Sequence, residues 1–114
     1  IYLKKKLSLS GPLHIILIKI SKIIEVIILK LIKKVPQPKD QKGKIVKFKR
    51  LKPHNSLINS KIKLPQLYNK IRMLDHVEYP LAHIKIGKLK FYLKNVKKFK
   101  GKLICDVTIA KNNN

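Results

Sequence analysis

Apolar and polar positions follow three different rhythms along this chain, and each change of rhythm marks an element. Over residues 13–35 the apolar residues Leu13, Leu17, Ile20, Ile24, Ile27, Ile28, Leu31 and Val35 recur at helical spacing, with Lys19, Lys22, Lys30, Lys33 and Lys34 on the other side. That pattern predicts an amphipathic helix with its apolar face on a core, and Ser10-Gly11-Pro12 supplies a capping hydroxyl and a first-turn proline. A surface-lying membrane helix has the same pattern, whereas a full span is interrupted by Lys19, Lys22, Glu25 and Lys30. The prolines at 36 and 38 end the helix, and Gly43 suits a turn.

The rhythm then shifts to period two. Over residues 44–51 Val46 and Phe48 alternate with Lys47 and Lys49, which predicts a half-exposed strand, and the polar residues 52–63 read as a loop. Helical spacing returns at Leu64, Leu67, Tyr68, Ile71 and Leu74, with Pro65 placed for a first turn. After Tyr79-Pro80 three strands are expected, at 81–86, 89–96 and 103–109, joined by glycine-bearing turns at Gly87 and Gly101. The result is an α+β chain: a long N-terminal amphipathic helix and a short helix packed on successive antiparallel strands that form a meander or small barrel. Residues 1–12 read as a linker or strand remnant, 13–110 as the domain (helix 13–35, barrel 44–110) and 111–114 as a polar tail.

Composition changes this picture in two ways. The chain carries 28 Lys+Arg against 5 Asp+Glu, a formal net charge of +23. Such an excess draws phosphate polymers, acidic membranes or acidic proteins. A+T-rich coding would enrich lysine without selection, in keeping with alanine only at 82 and 110 and arginine only at 50 and 72. The same bias would admit Asp and Glu, so both readings stay open. Secondly, the chain starts at Ile1 and its only methionine is Met73, from which a truncation or processing point is expected.

Catalytic chemistry is thin. Cys105 is the only cysteine, which excludes an intrachain disulfide or a thiolate zinc site and suggests a reducing, cytoplasmic setting. His14, His54, His76 and His83 lack metal-ligand spacing, and the only acid–base group is Asp75, His76 and Glu78 at a helix end. Neither a phosphate-cradling glycine loop nor a nucleophile–base arrangement is present. The candidate binding residues are instead lysines and arginines on strand and turn faces: Lys47, Lys49, Arg50 and Lys52, then Lys97, Lys98 and Lys100, with Tyr92 and Phe99 nearby.

The order of segments carries a further signal. An apolar helix is followed by Pro36-Gln37-Pro38, a basic stretch Phe48-Lys49-Arg50-Leu51-Lys52-Pro53, and Asn55-Ser56. Then come Leu67-Tyr68-Asn69-Lys70-Ile71-Arg72-Met73-Leu74-Asp75 and Tyr79-Pro80-Leu81-Ala82. This resembles the C-terminal region of 10-formyltetrahydrofolate-dependent formyltransferases, in which a Tyr-Asn-x-Ile-Arg-Ala-Leu run precedes Tyr-Pro-Gly-Ala-Phe. Leu81 stands where the glycine is usual, and His83 where the phenylalanine is.

The resemblance implies an OB-like C-terminal domain that helps hold the acceptor. It also implies an absent N-terminal catalytic domain that supplies the active-site Asn, His and Asp and binds 10-formyltetrahydrofolate. No catalytic residue, folate site or metal is therefore expected in this chain. Arg50, Lys52 and Arg72 are the implied polar contacts to substrate or to the missing domain. The acceptor is tRNA if the parent is methionyl-tRNA formyltransferase-like and a nucleotide sugar if it is a sugar N-formyltransferase. A free-standing basic RNA-binding module is the alternative outside the family.

Overall fold

The computed structural model describes residues 1–112; of the expected polar tail, 113 and 114 lie outside the described residues. The chain divides into two compact units. One comprises Ile1–Ser10 and Ile15–Arg50; the other comprises Gly11–His14 and the residues from Leu51 on.

In the first unit most of α1, Leu13–Lys33, dominates. Its last turn carries Lys30 and Lys33, where cations oppose the partial negative charge of the helix C-terminus. The backbone of Lys39 is pinned to Ile1 by two hydrogen bonds (Lys39 N to Ile1 O, 2.9 Å; Ile1 N to Lys39 O, 2.6 Å). Lys19 Nζ donates to Ser10 O at 3.0 Å.

Two expectations fail in this unit. The expected core face of α1 is only partly covered. Ile16 is the one buried residue of the helix, with Leu13, Ile20, Ile23, Ile27 and Leu31 half-buried in line with it, while Leu17, Ile24, Ile28 and Val35 are exposed. The sequence is apolar round so much of the helix that periodicity alone does not pick the inner stripe. The strand expected over 44–51 does not form either: that stretch has no regular structure, and Ile45 and Phe48 are each 89% exposed. An alternating segment becomes a strand only when a neighbour satisfies its backbone and covers its apolar side. Here lysine at every second or third position repels close approach.

The second unit is organised by α2, Leu64–Leu74, lying on an antiparallel three-stranded sheet of order β1 (His83–Ile86), β2 (Leu89–Phe99), β3 (Lys102–Lys111). A short 3-10 turn, Pro53–Ser56, precedes α2. The helix starts with proline in its first turn, and Gln66 Oε1 accepts the Lys63 N–H at 3.3 Å. Its inner face delivers Ile71, which joins Ala82 and Leu93 in a buried core flanked by Ile58, Leu67, Leu74, Ile84, Val96 and Cys105. Burying Ile71 is worth about 2 kcal/mol in apolar transfer.

The strands pair in register, His83 opposite Tyr92 and Leu93 opposite Val107, and the register slips between Lys94 and Lys97. At that bulge Asn95 has φ 53°, a left-handed conformation that asparagine tolerates better than most residues. The α+β expectation is met by the two helices and the antiparallel sheet. The sheet is not closed into the expected barrel: it has three strands, and 44–51, expected as a barrel strand, has no regular structure.

Candidate functional site

The expected binding residues divide between the two units. Lys47, Lys49 and Arg50 lie in the first, in the exposed irregular stretch, and are held by no regular structure. Lys52, Arg72, Lys97, Lys98 and Lys100 lie in the second.

The best-formed group in the second unit surrounds Tyr68 on α2. Lys98 Nζ sits 4.2 Å from its ring centroid and Arg72 Cζ 5.6 Å, so two cations share one aromatic ring. β2 and β3 place Lys98 there, since the β-hairpin brings Lys98 opposite Leu103 and turns at Lys100-Gly101 with φ 43° and 75°. Those two positive values are the backbone of a tight hairpin turn, and the lysine at 100 pays a steric cost to adopt one. Lys100 Nζ lies 5.5 Å over the ring of Phe99, which is 56% exposed. The hairpin tip therefore offers Lys97, Lys98, Lys100 and Lys102 with an exposed ring among them.

Arg72 has a second task. Its Nη1 donates to Gly11 O at 2.7 Å and its Nε to Asn69 Oδ1 at 2.9 Å, tying the start of α1 to α2. The fork geometry of the guanidinium suits it to serve several acceptors at once. Lys52 stands at the entry to the 3-10 turn, where its N–H donates to Asn55 Oδ1 at 2.7 Å. Lys70 Nζ donates to Leu57 O, and partial burial pulls its pKa below the usual lysine value.

Beside the Tyr68 group runs a polar network that sequence reasoning passed over. The Asn95 N–H donates to Asp75 Oδ2 at 2.6 Å, and its Nδ2 donates to Asp106 Oδ2 at 2.7 Å. Two of the five acidic residues are thus engaged at the bulge, which fixes α2 against both long strands. An asparagine inside a lysine-rich strand was the available signal for a bulge. Cys105 lines a hollow together with Asp75, Asn95 and Asp106; desolvation, then the neighbouring Asp106, pushes its thiol pKa up. A raised pKa and a place beside the core both disfavour the thiolate that nucleophilic chemistry needs.

The acid–base group expected at the helix end is spread out. His76 Nδ1 accepts the Glu78 N–H at 3.2 Å, its ring rests on Tyr79, and Asp75 is turned to Asn95. No group of three or more His, Cys, Asp or Glu side chains suited to a metal occurs among the described residues.

The two departures at the Tyr79-Pro80 turn have local explanations. Leu81 is not among the residues with positive φ, so the usual glycine is not required here by backbone conformation. Ala82 is completely buried and its carbonyl accepts the Leu93 N–H at 2.8 Å. His83 Nδ1 lies 3.3 Å from Leu81 O and 3.2 Å from Ser56 Oγ. A carbonyl only accepts, so that contact calls for the ring proton on Nδ1. The ring then packs on Tyr92, 5.6 Å between centroids, as a phenylalanine would.

With this geometry in view, the comparison with known proteins is direct. Residues 53–110 match the family model for the methionyl-tRNA formyltransferase C-terminal domain, the segment that carries the 3-10 turn, α2 and the sheet. The chain belongs to this family. Among solved structures it is similar to methionyl-tRNA formyltransferase from Clostridium thermocellum, with 38% sequence identity and a TM-score of 0.88 over 96% of this chain. That likeness extends beyond the C-terminal family segment into the residues before 53. The chain spans about half of that relative's length, 49%. No curated protein matches it. The family assignment accounts for the Tyr68-to-Ala82 motif.

Proposed function

We propose that this chain is the non-catalytic C-terminal part of a methionyl-tRNA formyltransferase. In this reading it helps bind and orient the acceptor tRNA while a preceding catalytic domain transfers the formyl group from 10-formyltetrahydrofolate, in the cytoplasm. Two kinds of observation support it: the family match over 53–110 and the relative of twice the length. The observation that carries the binding role is the lysine-rich hairpin tip beside the Tyr68–Arg72–Lys98 group.

Chemically, that surface suits a phosphodiester backbone. Lysines act as point charges toward phosphates and release counterions on binding, and exposed rings such as Phe99 give bases something to stack on. Lys47, Lys49, Arg50 and Lys52 would add phosphate contacts of the same kind. Charge and an exposed ring supply affinity and placement of the acceptor in this reading. The OB-like barrel expected for the domain is part of this reading; closing it calls for strands beyond the three that are paired here.

The test is a salt titration of tRNA binding by the chain and by its Lys97→Ala/Lys98→Ala/Lys100→Ala variant. Loss of three phosphate contacts is expected to lower affinity more than tenfold at low salt and to reduce the slope of log K against log salt by about three. Equal affinity for tRNA and an unrelated polyanion would reduce the role to charge alone, as in a free-standing basic module. Negligible binding of tRNA at low salt would instead favour a sugar acceptor and sink the proposal.

A further inference from the structure

The first turn of α2 and the end of the β2–β3 hairpin leave a hollow between them, with a volume of about 190 Å³. Leu64, Pro65 and Leu103 make it apolar, Gly101 adds backbone to its wall, and Lys98 and Lys102 are its charged members. Strand register explains the grouping. Lys98 pairs with Leu103 across the hairpin, and cross-strand partners project from the same face of a sheet. On that face the Tyr68 ring of α2 holds the Lys98 ammonium at 4.2 Å. A ring face fixes the charge in place and leaves the ammonium its N–H donors for an oxygen ligand. A Cβ built on Gly101 meets nothing within 4 Å, so the hollow is unobstructed beside the turn.

An apolar recess flanked by ammonium groups matches a ligand that is apolar in one part and anionic in another. The neighbouring sequence narrows the anion. Lys97, Lys98, Lys100 and Lys102 fall within residues 97–104, with no acidic residue among them. A fatty acid or other single carboxylate would engage one such charge, whereas a chain of phosphates engages several. The size narrows the apolar part. The hollow is smaller than the roughly 300–1,000 Å³ of a site for a whole drug-sized ligand, and suits a single flat ring system. A base inside a duplex has its faces covered by its neighbours, so only an unpaired base can present a ring to such a recess.

We infer that the hollow between α2 and the β2–β3 hairpin is a subsite for one unpaired nucleobase of a bound RNA, with the flanking phosphates on Lys98 and Lys102. This rests on the proposed function and sharpens it: the lysines supply charge, and the hollow makes binding respond to the base and to strandedness. Leu64 and Pro65 close on the base from the helix and Leu103 from the sheet, with the aliphatic stems of the two lysines along its edge. Phe99 follows Lys98 on the strand and therefore points to the opposite face, where its exposed ring is a separate surface.

The experiment uses the 114-residue chain and three probes of equal length and charge at one low salt concentration. These are a single-stranded oligouridylate, the same oligomer with every base removed, and a blunt RNA duplex matched in charge. Leu64 is 46% exposed and lies outside the core, so Leu64→Ser removes apolar wall without changing charge or unfolding the domain. The chain is expected to bind oligouridylate about fivefold or more tighter than the abasic oligomer or the duplex. Leu64→Ser should erase that preference and change abasic binding by less than about twofold, since the phosphate contacts remain. With 4-thiouridine in the oligomer, photo-crosslinks are expected on the peptides that hold Leu64–Pro65 and Leu103.

Equal affinity for oligouridylate and the abasic oligomer would overturn the inference, as would crosslinks confined to Phe99. If either occurs while the chain still prefers tRNA to an unrelated polyanion, the proposed function stands and only the base subsite is lost. Negligible binding of tRNA and of every probe overturns both. Saturable binding of an acidic, leucine-containing peptide that Leu64→Ser abolishes, without any preference for bases, would assign the hollow to a protein partner and overturn the inference.

Discussion

At the scale of single residues, the second unit depends on a few side chains with no slack. Ile71 is 1% exposed and lies at the junction of α2 with Ala82 and Leu93. Ile71→Ala is expected to lower stability by about 2–5 kcal/mol, the range for cutting an aliphatic side chain from a filled core, and urea unfolding will measure it. Cys105 lends itself to a pH test. Desolvation and Asp106 raise its pKa, so the folded chain holds the thiol proton more tightly than the unfolded chain does. The sign follows: stability from this group is unchanged below the ordinary thiol range and declines as pH rises from there toward the raised folded value. Urea midpoints from pH 7 to 10 should therefore fall further in the native chain than in Cys105→Ala, and parallel curves would contradict it.

Among the residues of the candidate site, the basic ones were visible in the sequence because charge is a property of the residue. What each one touches was not. Arg72 was expected to face a substrate or another domain, and two of its nitrogens hold Gly11 and Asn69. Tyr68 read as core by its spacing, yet it is half-buried and carries two cations on its ring. The Asp75–Asn95–Asp106 network joins residues up to 31 positions apart, and no local pattern encodes such a meeting.

At the scale of elements, backbone conformation sets the limits. The β2–β3 turn uses Lys100 and Gly101 at φ 43° and 75°, and a Cβ built on Gly101 meets nothing within 4 Å. Gly101→Ala should thus be limited by torsional strain alone, a loss of about 1 kcal/mol readable as a lower thermal midpoint. A loss of several kcal/mol would mean that the turn makes contacts beyond those described. The α2 helix was legible to the residue, because Pro65, five apolar positions at helical spacing and the following polar run coincide. The strand expected over 44–51 had the correct alternation and no partner. Strand formation is decided by a neighbour, and periodicity reports only readiness for one.

For the whole molecule the governing quantity is charge. With a formal +23 over 114 residues, the compact state repels itself, and the repulsion is screened by salt. Raising sodium chloride from about 10 mM to about 300 mM, which shortens the screening length from roughly 30 Å to below 10 Å, is expected to raise the thermal midpoint by several degrees. An unchanged or lowered midpoint would show that counterions already neutralise the charge or that specific pairs dominate. No helix among the described residues is long and apolar enough to cross a membrane, although α1 comes from the most hydrophobic part of the chain.

The sequence by itself determined the two helices, the three strands after Tyr79-Pro80 and the family. Each is written locally, in the spacing of apolar residues, in proline and glycine positions, and in a motif of about fifteen residues. Tertiary structure alone decided which stripe of α1 is covered, that 44–51 stays unpaired and the sheet open, and which lysines gather beside Tyr68. These outcomes depend on what lies opposite each residue. A sequence records the surface that a residue could bury, and only its neighbours in space determine whether it does.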